Sequence, residues 1–287
     1  MTWGRDHRNC RSLRGRADEL VPGKTRAVRV TSCSTRRVRP ESWRRVDDFW
    51  RGVFGERSSG VEAGRAVIVG HGESLGDYAG VYCVLRHRTV LVSAPGHLLR
   101  TVAEWHPSVE TVMDARWWND RLPGWSVLGP SVHSFLDRAD LPVAPAGEAV
   151  AQTAASDQLQ RLRDRVTKEQ WQESGFAGSD LAKAWVVVGE GGQAFAASNL
   201  TPFGNVPADV GVLADPAARE RGFATLAAKT AAHYAVERYG IARWRALATN
   251  APSRRLAAKL GFEDDCVHLA VRPDENASLA VTRRSSG

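Results

Sequence analysis

The chain has 287 residues, of which 43% are hydrophobic and 25% charged, a balance typical of a globular protein with a sizeable core. No apolar run is long enough to cross a membrane, and residues 1–20 carry five Arg without an apolar segment, so we expect neither a membrane protein nor a secretory signal. The four cysteines are scattered without CxxC spacing. This pattern favours a reducing, cytoplasmic environment over a disulfide framework or a zinc site, and no His cluster has metal-ligand spacing.

The net charge of +7 arises at the amino-terminal end, where residues 1–50 hold 13 Lys and Arg against 6 Asp and Glu. A basic arm can bind nucleic acid through counterion release. This arm has only Trp3 before Trp43, so it offers no aromatic platform for bases. We therefore expect residues 1–30 to form a solvated, disordered arm. An alternative interpretation is that they precede the natural start of the protein.

Residues 35–140 are predicted to form an amino-terminal α/β lobe. The spacing of Trp43, Val46 and Phe49 predicts an amphipathic helix over 40–54. The next predicted elements are strands over 66–69, 80–85 and 89–93, helices over 97–106 and 112–121, and a strand over 125–128. Prolines, glycine and small residues then predict a linker over 141–152.

Residues 153–273 are predicted to form a second lobe of mixed α/β structure, followed by a polar tail over 274–287. Its predicted elements are a helix over 156–172, strands over 184–188, 193–200 and 210–213, a helix over 222–238, a strand over 241–248, a helix over 252–260 and a strand over 265–271. The turn at 189–192 is rich in glycine and favours a hairpin.

The segment RERGFA (219–224) joins a predicted strand to the longest predicted helix. The start of a helix presents unpaired N–H groups that attract phosphate. Gly222 and Ala224 leave room for an anion at the backbone, while Arg219 and Arg221 add positive charge. The sequence therefore predicts a pyrophosphate site here.

A second segment runs from Asn250 through Ser253 to Gly261-Phe262. Alone, it is equally typical of an ordinary capped helix. The two segments together, in this order, resemble the GNAT superfamily of acyl-CoA-dependent N-acyltransferases. The resemblance covers about 154–272 and is most specific over 210–262.

The resemblance implies an α+β fold, a GNAT fold with a twisted mixed sheet in the carboxyl-terminal half. A degenerate GNAT-like half precedes it, as in two-lobed relatives similar to the glycine N-acyltransferases. Acetyl-CoA is expected in a V-shaped cleft where the strand at 210–214 separates from the strand at 241–248. The implied contacts with acetyl-CoA (coenzyme A) are Leu213, Ala214, Arg219, Glu220, Arg221, Gly222, Phe223, Ala224, Thr225, Asn250 and Ser253.

The implied reaction is direct attack of a primary amine on the acetyl thioester. The backbone near Leu213 would stabilise the oxyanion, and Asp209, on the same strand face, is the candidate base. A strand-entry aspartate is the alternative, and Glu173 and Glu190 are weaker candidates for the base. His268 is the candidate acid or pocket residue, with a surface histidine as the alternative.

The second segment departs from the family pattern at Ala257, where many relatives carry a tyrosine acid. Tyr234 is expected in the core, and ordinary core packing is the preferred interpretation of the ten tryptophans. We expect a small-molecule amine as acceptor, no membrane or nucleic-acid partner, and a homodimer as a possible assembly. The alternatives are acetylation of a protein or peptide amine, and a non-catalytic acyl-CoA sensor whose basic arm contacts nucleic acid.

Overall fold

The structure, a computed structural model, describes residues 39–55, 66–138, 150–152, 156–177, 183–189, 192–203 and 206–274. All of them belong to one compact unit, Ser34–Gly287. The predicted arm at 1–30, most of the predicted linker and nearly all of the predicted tail lie outside the described residues. Cys83 and Cys266 are buried free thiols, whereas Cys10 and Cys33 are not described.

The described residues form eight α-helices and ten strands. The helices are α1 (Pro40–Phe54), α2 (Gly96–Glu104), α3 (Val109–Val112), α4 (Ala115–Arg121), α5 (Ser156–Arg163), α6 (Lys168–Glu173), α7 (Phe223–Tyr239) and α8 (Ala251–Lys259). The strands are β1 (Ala66–Gly70), β2 (Val81–Arg86), β3 (Thr89–Ala94), β4 (Trp125–Leu136), β5 (Val150–Gln152), β6 (Lys183–Val188), β7 (Ala194–Phe203), β8 (Val206–Ala214), β9 (Ala242–Leu247) and β10 (Glu263–Pro273).

The described strands form one mixed sheet in the order β1-β3-β2-β10-β4-β9-β8-β7-β6-β5. The β1–β3 and β8–β9 pairs are parallel, and the other neighbours are antiparallel. The predicted mixed α/β fold class is confirmed. Strand β4, which precedes the predicted linker, lies between β9 and β10, which follow it. A single sheet thus runs through both predicted halves, and their division into separate lobes stays a prediction.

Local capping divides two segments that periodicity predicted as single helices. The helix predicted over 156–172 is α5 and α6, because Thr167 and Gln170 form a capping box that starts a new helix. The helix predicted over 112–121 is α3 and α4, because the side chain of Asp114 accepts from the Arg116 amide at 2.9 Å and caps α4. Strand β4 is also three times as long as predicted, with 12 residues.

Helices cover both faces of the sheet. We call the face that contacts α1 and α5 the front face, and the face that contacts α2, α4, α7 and α8 the back face. Strand β8 alternates between them: Val210 packs against α7 on the back, while Leu213 packs with Leu162 of α5 on the front. Strand β10 does the same, with Cys266 near α1 and Leu269 near α4. The period of two along a strand therefore assigns each side chain to one face.

Close backbone approach explains Gly211 in the middle of β8. A Cβ at this position would lie 2.1 Å from the carbonyl oxygen of Ser174, just after α6, and 2.4 Å from Oδ1 of Asn199. The amide of Asn199 in turn donates to the same Ser174 oxygen at 3.0 Å. The absence of a side chain at Gly211 lets the end of α6 sit directly on the front face.

Candidate active site

A gap opens between β8 and β9 in the middle of the sheet. Among the described residues, the two strands share one register pair, Asp209 with Arg243. Beyond it, β8 continues along β7 to Ala214, and β9 continues along β4 to Leu247. Two parallel strands that each stay with their outer neighbour must separate, so the gap widens toward their carboxyl ends. The edge of β8 left unpaired there can accept an extended ligand in the manner of an added strand.

Asp209 and Arg243 close the narrow end of this gap. Their side chains are 7% and 6% exposed and form an ion pair in which Nη2 of Arg243 donates to Oδ2 of Asp209. In the described part of the chain, Oδ1 of Asp209 is buried without a hydrogen-bond partner. Asp209 shares the front face with Leu213, as the strand period predicts. Its assignment as a base stays a prediction, and the structure adds that one of its oxygens binds a guanidinium.

The turn after β8 is fixed by Asp215, which is 2% exposed. Its carboxylate accepts from the Ala217 amide at 2.9 Å and from Nη1 of Arg165 at 2.6 Å. This side chain caps a short 3-10 turn that ends at Ala218. The chain then passes through exposed residues 219–222 into α7. Asp215 thus orients the loop that the sequence predicts as a phosphate site.

The first turn of α7 has no side-chain cap. Gly222 precedes it with φ of +87°, in the left-handed region, and a Cβ there would have no atom within 4 Å. The first amides of a helix lack partners within the helix, so they are available to bind an anion. The Arg221 guanidinium lies over the ring of Phe223, 4.9 Å from its centroid. The residues present fit a pyrophosphate, which the amides and Arg221 would hold.

The other residues of the predicted pyrophosphate site at 219–224 lie close to this turn. Arg219 and Glu220 are exposed, while Phe223, Ala224 and Thr225 are half-buried in the first turn of α7. Ala214 and Phe223 pack in the same cluster on the back face, whereas the side chain of Leu213 packs on the front face. The structure brings these residues together, and their contacts with a cofactor stay predictions.

Asn250 and Ser253 both serve the fold of α8. Oδ1 of Asn250 accepts from the Ser253 amide at 3.1 Å, and its Nδ2 donates to Oε1 of Glu173 at 2.8 Å. Oγ of Ser253 accepts from Nε1 of Trp244 at 3.0 Å. These bonds match the alternative interpretation of an ordinary capped helix. They also tie the end of α6 to the start of α8, and contacts of either residue with a cofactor stay a prediction.

His268 is buried on the front face rather than on the surface. Its ring stacks on Tyr82, with centroids 4.0 Å apart, and lies 5.2 Å from the ring of His133. Burial, followed by the positive charges of Arg245 and Arg243, lowers the pKa of His268 to about 3. The imidazole is therefore neutral at pH 7 and carries no extra proton to give. This environment disfavours the predicted role of His268 as an acid.

Four side chains around His268 and along β9 were missed by the sequence predictions: Tyr82, His133, Arg243 and Arg245. They come from three strands and share the front face with His268. The alternation of Arg243 and Arg245 with Trp244 and Ala246 was a usable signal, since it places two guanidiniums on one strand face. Nothing local shows that this strand lies in the centre of a sheet.

The comparisons with known proteins can now be added to this geometry. Residues 137–263 match the family model described as "Acetyltransferase (GNAT) domain". This part of the chain is therefore similar to GNAT acetyltransferase domains. The match includes β8, the phosphate loop and α8, and it supports a transferase that uses an acyl-CoA in general terms. No curated protein sequence matches the chain closely enough to count as a relative.

Solved structures of low identity resemble parts of the chain. A GCN5-related N-acetyltransferase from Sphaerobacter thermophilus is 15% identical, with 75% of this chain and 82% of that chain covered and a TM-score of 0.40. A GCN5-related N-acetyltransferase from Kribbella flavida is 18% identical, with 64% and 68% covered and a TM-score of 0.39. A tandem GNAT protein from the clavulanic acid biosynthesis pathway is 16% identical, with 56% and 58% covered and a TM-score of 0.39. No conclusion about function is drawn from likenesses at this level.

Membrane-spanning helices and metal sites are both absent among the described residues. No helix among them is both long and apolar enough to span a membrane. No group of three or more His, Cys, Asp or Glu in the same residues is arranged to hold a metal ion.

Proposed function

We propose that the protein is an acetyl-CoA-dependent N-acetyltransferase that acts on a primary amine of a small molecule. The observation that carries this proposal is the pairing of two features at one place. The uncapped amino terminus of α7 lies at the wide end of the gap between β8 and β9. Amides that attract a pyrophosphate and a strand edge that accepts an extended arm are what an acyl-CoA needs.

The front face of the gap is where the acceptor amine would approach. Acetyl-CoA supplies the acetyl thioester. The N–C bond forms as the C–S bond breaks, the nitrogen loses a proton, and the departing thiolate gains one. An amine is mostly protonated at neutral pH, so a group must take that proton first. Asp209 keeps this role in the proposal, because its Oδ1 is buried without a hydrogen-bond partner among the described residues.

Neither Tyr82 nor His268 gives up a proton readily in this arrangement. Burial raises the pKa of Tyr82 to about 12, so the phenol keeps its proton at neutral pH. The neutral ring of His268 stacks on it and fixes its orientation. Ala257 stands where a tyrosine is common in the family, and Tyr82 lies on β2, which β10 and β4 separate from β9. Water is therefore the proton source in this proposal, because a thiolate is a good leaving group.

The test is calorimetric titration of the protein with acetyl-CoA, followed by an amine screen in which released thiol is measured. We expect saturable binding with one site per chain, and thiol release that depends on the amine. Desulfo-coenzyme A serves as a control ligand that binds but cannot react. Absence of binding at millimolar acetyl-CoA would refute the proposal. Binding without any amine-dependent release would favour the acyl-CoA sensor instead.

A further inference from the structure

The centre of the front face is uncovered around β9. Strand β9 lies between β4 and β8, so its side chains should be buried under helices. Arg245 is nevertheless exposed, and Leu247 is 37% exposed. Leu128 of the neighbouring strand β4 is 41% exposed on the same face. An interior strand with exposed side chains marks a space that neither α1 nor α6 fills.

Arg245 is the first front-face residue of β9 beyond the pair of Asp209 and Arg243. It therefore lies where β8 and β9 begin to separate, beside the predicted path of the acyl arm. In the described structure, the Arg245 guanidinium makes no hydrogen bond or ion pair, unlike that of Arg243. A guanidinium presents a planar fork of donors that matches a carboxylate.

Two buried imidazoles next to Arg245 are also unsatisfied. His133 is directly opposite Arg245 in the β4–β9 register and is fully buried. Both ring nitrogens of His133 and of His268 lack hydrogen-bond partners among the described residues. Buried polar groups without partners usually indicate a ligand or water that completes them. The positive charges of Arg243 and Arg245 lower the pKa of both imidazoles, after burial, so the rings remain neutral beside the guanidiniums.

We infer that the acceptor is an amine that also carries a carboxylate, and that Arg245 binds this carboxylate on the floor of the front-face space. Leu247, two residues beyond Arg245 on the same strand face and 37% exposed, favours an apolar body, so an apolar amino acid is the matching class. This inference rests on the proposed function, since it names the acceptor for the same gap. Arg245 would act as a specificity residue. The alternative source of an anion for its guanidinium is coenzyme A itself.

The experiment compares matched amines that differ only in the carboxylate: leucine with isopentylamine, phenylalanine with phenethylamine, and glycine with methylamine. Thiol release is measured for the full-length wild type, for Arg245→Met, which keeps the apolar stem, and for the control Arg116→Met. Arg116 is an exposed arginine on α4, on the back face. Coenzyme A affinity of all three proteins is measured by calorimetry.

For each matched pair of amines that the wild type accepts, we expect a higher kcat/KM for the amino acid than for the plain amine. Arg245→Met should reduce this preference about ten- to hundredfold, as expected for loss of a charged hydrogen bond. Its coenzyme A affinity should stay within about twofold of wild type. Arg116→Met should resemble wild type throughout.

Three results would overturn the inference. Equal use of plain amines, or an unchanged preference in Arg245→Met, would refute the carboxylate and leave the proposed function standing. A loss of coenzyme A affinity in Arg245→Met would assign the guanidinium to the cofactor instead. Absence of both coenzyme A binding and thiol release in the wild type would refute the proposed function, and this inference with it.

Discussion

Asp209 and Arg243 form the register pair that joins β8 to β9, and their side chains also form a buried ion pair. The side-chain contact holds the two strands together at the one point from which they separate. A buried charge is costly unless it is paired. We infer that this pair sets where the gap begins, and hence where an acyl arm can enter.

Breaking the ion pair should destabilise the protein strongly. Arg243→Met leaves the Asp209 carboxylate buried without its guanidinium, and we expect a loss of about 3–5 kcal/mol in the free energy of unfolding. The double variant Asp209→Leu/Arg243→Met should recover most of this loss. Urea unfolding measures both. The control Arg100→Met removes an exposed pair with Glu104 and should cost less than about 0.5 kcal/mol. A double variant as unstable as the single one would contradict this role.

Charge at the start of α7 should block the cofactor. Gly222→Asp places a carboxylate at the predicted pyrophosphate site, and we expect calorimetry to detect no binding of acetyl-CoA. Gly222→Ala keeps the site uncharged and should bind, although the left-handed backbone costs about 1–2 kcal/mol of stability. Gly124→Asp has a similar φ of +81° and open surroundings, so it controls for strain. Undiminished binding by Gly222→Asp would place the pyrophosphate elsewhere.

A bound cofactor should also stabilise the fold. A ligand that binds only the folded state raises the melting temperature, and the stabilisation grows with the logarithm of the ligand concentration above its Kd. We expect acetyl-CoA at about 100 times its Kd to add about 2.7 kcal/mol. The shift should appear in differential scanning fluorimetry of the wild type and vanish in Gly222→Asp. An equal shift in both proteins would indicate binding away from the loop.

The two buried histidines should make stability fall in mild acid. Their pKa values are lowered in the folded protein, to about 3 for His268, whereas an unfolded histidine titrates near 6.5. The unfolded state therefore takes up protons first, and stability decreases as the pH falls below about 6.5 toward the folded pKa. Each histidine should contribute about 1.4 kcal/mol per pH unit in that range.

Unfolding free energies between pH 7 and pH 4.5 check this expectation. Replacing both rings, His133→Gln with His268→Gln, should flatten the slope. The exposed His97 and His106 offer a control pair, since their replacement should leave the slope unchanged. A slope that is identical in the two double variants would mean that other groups govern acid stability.

The contact between α6 and β8 should tolerate no side chain at Gly211. A methyl group there would meet the Ser174 carbonyl oxygen, and overpacking of this kind typically costs about 1–3 kcal/mol. We expect Gly211→Ala to lower the melting temperature. Gly96→Ala adds the same methyl group in open space at the start of α2 and should be neutral or stabilising. A stable Gly211→Ala would show that α6 can shift away from the sheet.

The sequence predicted most elements because their signals are local. The apolar period over 40–54 and the continuous apolar run over 184–188 are properties of adjacent residues, and α1 and β6 follow them closely. The errors also have a local cause. Periodicity cannot detect that Thr167 and Asp114 start new helices, because capping depends on one side chain reaching back to the backbone.

The candidate site was predictable only in part for the same reason. Residues 219–224 form a continuous segment, so their chemistry is readable in order along the chain. The cluster of Tyr82, His133, Arg245 and His268 comes from four strands, and no spacing in the sequence connects them. The resemblance predicts Asn250 and Ser253 as cofactor contacts, and only the tertiary structure shows that their bonds also hold α6, β9 and α8 together.

By itself, the sequence determined most of the helices and strands and the mixed α/β class, and it predicts an anion-attracting turn before the longest helix. Each depends on the period of side chains or on groups within one helical turn. Only the tertiary structure decided that β4 enters between β9 and β10, that β8 and β9 separate after Asp209, and that Arg245 stays exposed in the middle of a sheet. Strand pairing joins residues more than a hundred positions apart, and its register is set by packing of the whole core.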